Sequence, residues 1–128
     1  MKIEEFILER LQSLYENVVE YNLTESGFHP YSLREILPAK EIDSLLSLPL
    51  GYGQTNGSEE LRERISSYYP HTNRSNILVT SGSAEANFLT IWSLVHPGDE
   101  IIIMQPNYQQ IYGLARSFGI KVKPFFLK

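Results

Sequence analysis

The chain has 128 residues, no cysteine, and a formal net charge of −4 from 11 basic and 15 acidic side chains. At roughly 100–200 residues per domain, this length corresponds to one domain or to part of one. Hydrophobic residues at 42% and charged residues at 20% argue against wholesale disorder. The acidic balance argues against nucleic acid and anionic membranes as partners, because both select basic surfaces. Without cysteine, disulfides, thiolate catalysis and Cys-ligated metal sites are excluded.

The start of the sequence is unlike a targeting segment. The acidic residues Glu4, Glu5 and Glu9 do not fit the positively charged beginning of a secretory signal. No apolar run in the sequence reaches the roughly 18–20 residues that span a bilayer. We therefore expect no membrane association and a cytoplasmic location.

The first element in chain order is an amphipathic helix, predicted from Ile3 to Glu20. Apolar side chains recur there at helical spacing, at Ile3, Ile7, Leu11, Leu14 and Val18. Such a face needs another surface to cover it.

Glycine and proline interrupt the pattern from Tyr21 to Gly57, where only short helical turns are expected, at Ser32–Ile36 and Lys40–Ser47. We therefore divide the chain into an N-terminal helix and loop-rich arm, residues 1–50, and a more regular region, residues 51–128.

The regular region begins with a helix. Ser58 is a suitable N-cap, and acidic residues follow it in the first turn, where the helix dipole favours anions. The buried stripe of this helix is expected at Leu61, Ile65 and Tyr68, and Pro70 ends it.

A βαβαβ pattern follows. We predict strands at Asn76–Thr80, Glu100–Met104 and Lys121–Leu127, and helices at Ser83–Val95 and Gln109–Phe118. The continuous apolar run of the second strand is typical of a parallel strand buried on both faces. The pattern therefore predicts an α/β fold.

The segment Thr80–Ala86, where a strand turns into a helix, is the first candidate site. Gly82 can adopt positive φ and allows a ligand to approach the backbone closely. The helix start presents free N–H groups, and Ser81 and Ser83 add hydroxyl donors. This combination suits a phosphate group, although an ordinary serine-rich helix start has the same composition.

Two further candidates contain tyrosine. Tyr52 is the large side chain of a glycine-rich loop, and it either donates a hydrogen bond to an anion or packs within a linker. Tyr108 follows the apolar strand, and ligands of open α/β sheets bind beyond the carboxyl ends of strands. It is placed either to stack on a planar ligand or to cover the strand end.

Other familiar sites are not predicted. The sequence contains neither a P-loop nor a dinucleotide-binding fingerprint. The histidines are solitary, at positions 29, 71 and 96, so we predict no metal site and no catalytic triad.

The order of these features resembles the N-terminal part of the class I/II aminotransferases, pyridoxal-phosphate enzymes of fold type I. The matching residues, in chain order, are Tyr52–Gly57, Glu60–Arg62, Thr80–Ala86, Pro97–Asp99 and Pro106–Tyr108. The resemblance implies the beginning of a three-layer α/β/α large domain with a mostly parallel sheet, incomplete in this chain. It also implies that the first strand pairs with a strand from the rest of the family fold and not with the Met104 strand.

The resemblance further implies roles for individual residues. Ser81, Gly82 and Ser83 would hold the phosphate of pyridoxal 5'-phosphate, largely through backbone N–H groups. Tyr108 would stack on the pyridine ring.

The remaining implied roles involve a second subunit and the substrate. Tyr52 would reach the cofactor phosphate of the neighbouring subunit in a homodimer, and the N-terminal helix would embrace that subunit. Gly27 would lie near the substrate carboxylate.

The family's Schiff-base lysine has no counterpart in this sequence. The lysines are Lys2, Lys40, Lys121, Lys123 and Lys128, and none follows the family's Ser-x-x-Lys pattern. Because the chemistry requires an amine at the cofactor aldehyde, we expect an amino-terminal piece of an aminotransferase that is inactive alone. The complete enzyme would transfer an amino group between an amino acid and a 2-oxo acid.

Two non-enzymatic functions remain as alternatives. One is a module that binds a phosphorylated small molecule at Ser81–Ser83. The other is a dimerisation module that uses the N-terminal helix and the Tyr52 loop.

Overall fold

The computed structural model describes residues 3–127. The helices are α1 (Ile7–Tyr15), α2 (Leu33–Ile36), α3 (Ala39–Leu46), α4 (Glu59–Ser66), α5 (Ser83–Leu94) and α6 (Gln110–Ser117). The strands are β1 (Glu100–Gln105) and β2 (Lys121–Phe126), and a 3-10 turn spans Arg74–Asn76. Within this part of the chain, no helix is long and apolar enough to cross a membrane.

The sheet consists of β1 and β2, which pair in parallel. Glu100 lies opposite Lys121, and Gln105 lies opposite Phe126. A parallel pair needs a crossover connection, and α6 provides it. The predicted order of strand, helix and strand over residues 100–127 is therefore confirmed.

The core lies between α5, α6 and the sheet. Its buried members are Ile91, Leu114, Ala115 and Ile120, and five partly buried residues surround them: Val95, Ile101, Ile111, Phe118 and Val122. Helix α5 contributes Ile91 to this cluster, and Val95, which follows the helix directly, packs against it.

The turn that ends α6 brings the chain back onto this core. Gly119 has φ +73°, a left-handed conformation that favours glycine. Its N–H donates to the Arg116 carbonyl at 3.1 Å, and the Ile120 N–H donates to the Ala115 carbonyl at 2.8 Å. This pair of bonds folds Ile120 against the last turn of the helix, immediately before β2 begins.

The predicted strand at Asn76–Thr80 is wrong. Asn76 belongs to the 3-10 turn, and residues 77–80 belong to no strand. The segment makes a single ladder-like contact, in which the Val79 N–H donates to the Asn56 carbonyl at 3.1 Å. A strand needs a neighbouring strand, and the described residues offer only a loop here. The implied pairing of this segment with a strand from the rest of the family fold stays a prediction, because the sheet of the described residues contains only β1 and β2.

The expectation that β1 is buried on both faces is also wrong for this chain. Ile103 is buried, whereas the neighbouring Ile102 points to the other face and is 71% exposed. The helices of the described chain cover one face of the sheet. Likewise α1 is shorter than the predicted helix and its apolar residues Ile7 and Leu14 are exposed.

Helix α4 begins as predicted but buries a different face. The Ser58 hydroxyl accepts a hydrogen bond from the Leu61 N–H at 3.3 Å, which confirms the N-cap. The buried residues, however, are Arg62 and Ser66, while Leu61 and Tyr68 are exposed. The reason is that polar backbone from residues 57 and 74 lies against this face and offers carbonyl acceptors to Arg62.

We expect Leu114→Ala to lower the free energy of unfolding by about 2–5 kcal/mol, because it opens a cavity in the small core. The matched control is Leu94→Ala at an exposed position of α5, which should change this energy by less than about 0.5 kcal/mol. Urea denaturation followed by circular dichroism measures both. Equal effects of the two substitutions would contradict the assignment of the core.

Candidate functional site

The start of α5 is open to solvent. Ser81, Gly82 and Ser83 are all exposed. Gly82 has φ +86° and ψ 170°, a combination that is essentially confined to glycine, and a Cβ there would meet nothing within 4 Å. The predicted positive φ is therefore confirmed. An uncovered helix start with its backbone accessible is a suitable place for an anion.

A glutamate of α5 already binds one of the amides at this helix start. The Glu85 carboxylate accepts a hydrogen bond from the Ser81 N–H. A negative charge in the first turn is favoured by the helix dipole, so this contact shows where an anion is stabilised. An incoming phosphate would compete with Glu85 for the Ser81 amide. Sequence reasoning did not single out this residue, because acidic residues are common at helix starts.

Hydrogen bonds of Gln110 join the start of α6 to the start of α5. Its Nε2 donates to the Ala84 carbonyl at 2.8 Å, and its Oε1 accepts from Asn87 Nδ2 at 3.1 Å. Gln110 follows Tyr108 by two residues, so these bonds hold the Tyr108 segment beside the helix start that contains Ser83. No sequence pattern indicates this contact, because the bonded residues are more than 20 positions apart.

Tyr108 contacts the N-terminal arm. Its hydroxyl donates to Glu9 Oε1 at 2.8 Å, and its ring meets that of Phe6 edge to face with centroids 5.1 Å apart. The hydrogen bond to the Glu9 carboxylate raises the pKa of Tyr108, with partial burial and the negative charge of Glu9 adding to the effect. The side chain is 44% exposed, so it remains accessible to a ligand.

A cleft of about 280 Å³ lies beside Tyr108. Its lining residues are Leu8, Glu9, Gln12, Glu16, Thr24, Glu25, Ser26 and Tyr108. Gly27, the residue predicted near the substrate carboxylate, follows this lining directly, and its N–H donates to Glu25 Oε1 at 2.6 Å. The structure therefore places the Gly27 segment close to the cleft of Tyr108.

Tyr52 is not brought to these residues. Its side chain is fully exposed. The loop that carries it is anchored at its far end, where Gly57 has φ +95° and packs so closely that a Cβ would overlap the Val79 side chain. The predicted role of Tyr52 in a neighbouring subunit stays a prediction.

The beginning of the chain lies against α6 of the same chain. Arg116 forms an ion pair with Glu4 at 3.2 Å. A groove of about 400 Å³ separates residues 3–8 from α6. The predicted contact of α1 with a partner subunit, and the division of the chain at residue 50, stay predictions. Among the described residues, no cluster of acidic and histidine side chains is arranged to hold a metal ion.

Fold and site together define an α/β arrangement in which an exposed helix N-terminus lies beside an aromatic residue at the end of a strand. The family model of the class I and II aminotransferases matches residues 39–128. The chain therefore belongs to this family.

Individual relatives agree with this assignment. The probable aspartate aminotransferase of Methanocaldococcus jannaschii is 36% identical over 77 residues, which are 56% of this chain and 20% of that protein. Capreomycidine synthase of Streptomyces vinaceus is 30% identical over 114 residues, which are 84% of this chain and 28% of that protein.

A solved structure agrees as well. A PLP-dependent aminotransferase from Streptococcus suis superimposes with a TM-score of 0.86 at 29% identity, covering 100% of this chain and 36% of that one. This similarity confirms the predicted fold, an incomplete fold-type-I domain. The chain spans between 20% and 36% of the length of these three relatives.

The contact between Tyr108 and Glu9 predicts a pH effect. The pKa of Tyr108 is higher in the folded chain than the ordinary tyrosine value of about 10. The hydrogen bond to Glu9 therefore stabilises the fold fully below about pH 10, and this stabilisation is lost as the pH rises through the raised pKa. Glu9→Gln should return the titration of Tyr108 toward about 10. Ultraviolet titration of the tyrosinate band measures this, with Tyr108→Phe subtracted to isolate the one residue. An unchanged titration in Glu9→Gln would contradict the contact.

Proposed function

We propose that this chain forms the amino-terminal part of a pyridoxal-phosphate-dependent aminotransferase, which transfers an amino group between an amino acid and a 2-oxo acid. The observation that carries the proposal is the exposed Ser81–Ser83 helix start, fastened by Gln110 beside the Tyr108 segment. Membership of the aminotransferase family and the similarity to a PLP-dependent aminotransferase support it.

The residues present fit the cofactor. Pyridoxal phosphate joins an anionic phosphate to a flat aromatic ring. The exposed Ser81 and Ser83 carry amides and hydroxyls that suit the phosphate once it displaces Glu85 from the Ser81 amide, and Gly82 leaves the approach free of side-chain atoms. The accessible Tyr108 suits the ring, because aromatic groups stack favourably when offset.

The contribution of this chain is to bind and orient. When bound, the cofactor supplies an electron sink for the bond changes at the amino acid. Ser81–Ser83 hold the phosphate, and Tyr108 limits movement of the ring. Glu9 holds the Tyr108 hydroxyl through the bond at 2.8 Å, and Gly27 lies beside the cleft where a substrate carboxylate enters.

The reacting amine comes from outside these residues in this proposal. None of the described lysines follows the family's Ser-x-x-Lys pattern. Lys123 is engaged on the sheet, where its Nζ pairs with Glu100 at 2.6 Å. Lys40 lies on α3 and Lys121 begins β2, so neither is part of the α5 helix start.

The active assembly in this proposal is a homodimer in the cytoplasm. Two features support an intersubunit contact: the fully exposed Tyr52 and the exposed apolar face of α1. In the dimer, Tyr52 donates a hydrogen bond to the cofactor phosphate of the neighbouring subunit.

The location of the reacting lysine tests the proposed function. We expect borohydride reduction of the natural protein with pyridoxal phosphate, followed by peptide mass mapping, to fix the cofactor stoichiometrically on a lysine outside these 128 residues. Stoichiometric labelling of Lys40, Lys121 or Lys123 would contradict the proposal. Reversible binding without any reducible adduct would instead favour the non-enzymatic phosphate-binding module.

Glu85 provides a test of the phosphate site itself. We expect Glu85→Gln to tighten binding of pyridoxal phosphate by about two- to fivefold, because one negative charge at a helix start amounts to about 0.3–1 kcal/mol. Glu60→Gln is the matched control, since it changes a first-turn glutamate of another helix. Equilibrium dialysis against the 128-residue chain measures both affinities. Weaker or unchanged binding in Glu85→Gln would place the phosphate elsewhere.

A further inference from the structure

Arg62 is a charged side chain in a buried position. It is 8% exposed, on the inward face of α4. Its Nε donates to the Gly57 carbonyl at 2.9 Å, and its Nη1 donates to the Arg74 carbonyl at 3.0 Å. In the part of the chain that the structure describes, its partners are thus neutral carbonyls. A guanidinium in such surroundings stays in place only while its donors are satisfied, so these bonds fix its position.

The first of these carbonyls belongs to the end of the Tyr52 loop. Gly57 packs against Val79 without room for a Cβ. The residue before it, Asn56, accepts a hydrogen bond from the Val79 N–H at 3.1 Å. Val79 precedes Ser81 by two residues. The end of the Tyr52 loop is therefore joined to the backbone that leads into the Ser81–Ser83 helix start.

The second carbonyl belongs to the 3-10 turn that begins the same stretch of backbone. The Arg74 side chain also pairs with Glu59 of α4 at 2.9 Å. Arg62 thus holds two points of the chain, residues 57 and 74, against one helix. Between residue 74 and Ser81 the backbone forms no strand, so it has few other constraints on its position.

We propose that Arg62 is a positioning residue that sets the Tyr52 loop and the Ser81–Ser83 helix start relative to each other. This inference rests on the proposed function, which assigns both segments to cofactor phosphates. Arg62 itself does not touch the phosphate, because it is buried and its Nε and Nη1 donate to backbone carbonyls. Arginine is required for this role, since its planar fork reaches two acceptors in different directions and a lysine ammonium does not replace it.

The test compares Arg62→Lys with Arg64→Lys in the 128-residue chain. Arg64 lies two residues further along α4, is exposed and pairs with Glu60 at 3.0 Å, so it controls for the loss of a guanidinium from this helix. Three properties are measured: amide hydrogen exchange by NMR without ligand, affinity for pyridoxal phosphate, and affinity for pyridoxal, which lacks the phosphate.

For Arg62→Lys we expect a folded chain in which exchange at the Val79 amide is about tenfold faster, as the loss of one hydrogen bond implies. We expect affinity for pyridoxal phosphate to fall about tenfold and affinity for pyridoxal to be unchanged. Arg64→Lys should leave all three properties unchanged.

The inference is overturned if Arg62→Lys is folded and Val79 exchanges at its original rate. It is equally overturned if Arg62→Lys unfolds the whole chain, because Arg62 would then support the fold in general. Failure of the unchanged chain to bind pyridoxal phosphate would count against the proposed function alone. The exchange rates, measured without ligand, would still decide the positioning role.

Discussion

Helices α5 and α6 pack against each other through Ile91, Leu114 and Ala115, and most of the described structure depends on that contact. The packing sets the helix starts side by side, where Gln110 bridges them. It also gives β1 and β2 a covered face on which to pair. The apolar contact is not specific for any ligand, yet it brings a helix N-terminus and a strand end together, and the proposed site depends on that arrangement.

Local signals were sufficient to predict the region from Ser83 to β2. The helices there have regular apolar spacing, Gly119 ends α6, and Gly98 forms the turn between α5 and β1, so periodicity and turn chemistry agree. The prediction of a strand at residues 76–80 was wrong because strand formation depends on a partner strand, which no local pattern reveals. The prediction of the buried face of α4 was wrong for a related reason, because backbone carbonyls outside the helix accept hydrogen bonds from Arg62.

In the candidate site, too, some residues could be predicted from local sequence features and others could not. Gly82 was found because its conformational freedom is visible in the residue type, and Tyr108 was found because it follows an apolar strand. Glu9 and Gln110 were missed. Their roles come from side-chain hydrogen bonds that cross 99 residues in one case and 26 in the other, and ordinary polar residues at such separations leave no pattern. Glu85 was missed because a glutamate in the first turn of a helix is common and does not by itself indicate a binding site.

The tight glycine turn after α6 has a consequence for the order in which the chain assembles. Every residue of β1 pairs with the residue 21 positions later, as Glu100 does with Lys121 (121 − 100 = 21). Closing so short a loop costs little chain entropy, and contacts between near neighbours in sequence form quickly. The arm reaches Tyr108 through the Glu9 contact across 99 residues, a far longer closure. From these separations we expect the arm to dock on Tyr108 only after the layer formed by β1, α6 and β2 is in place.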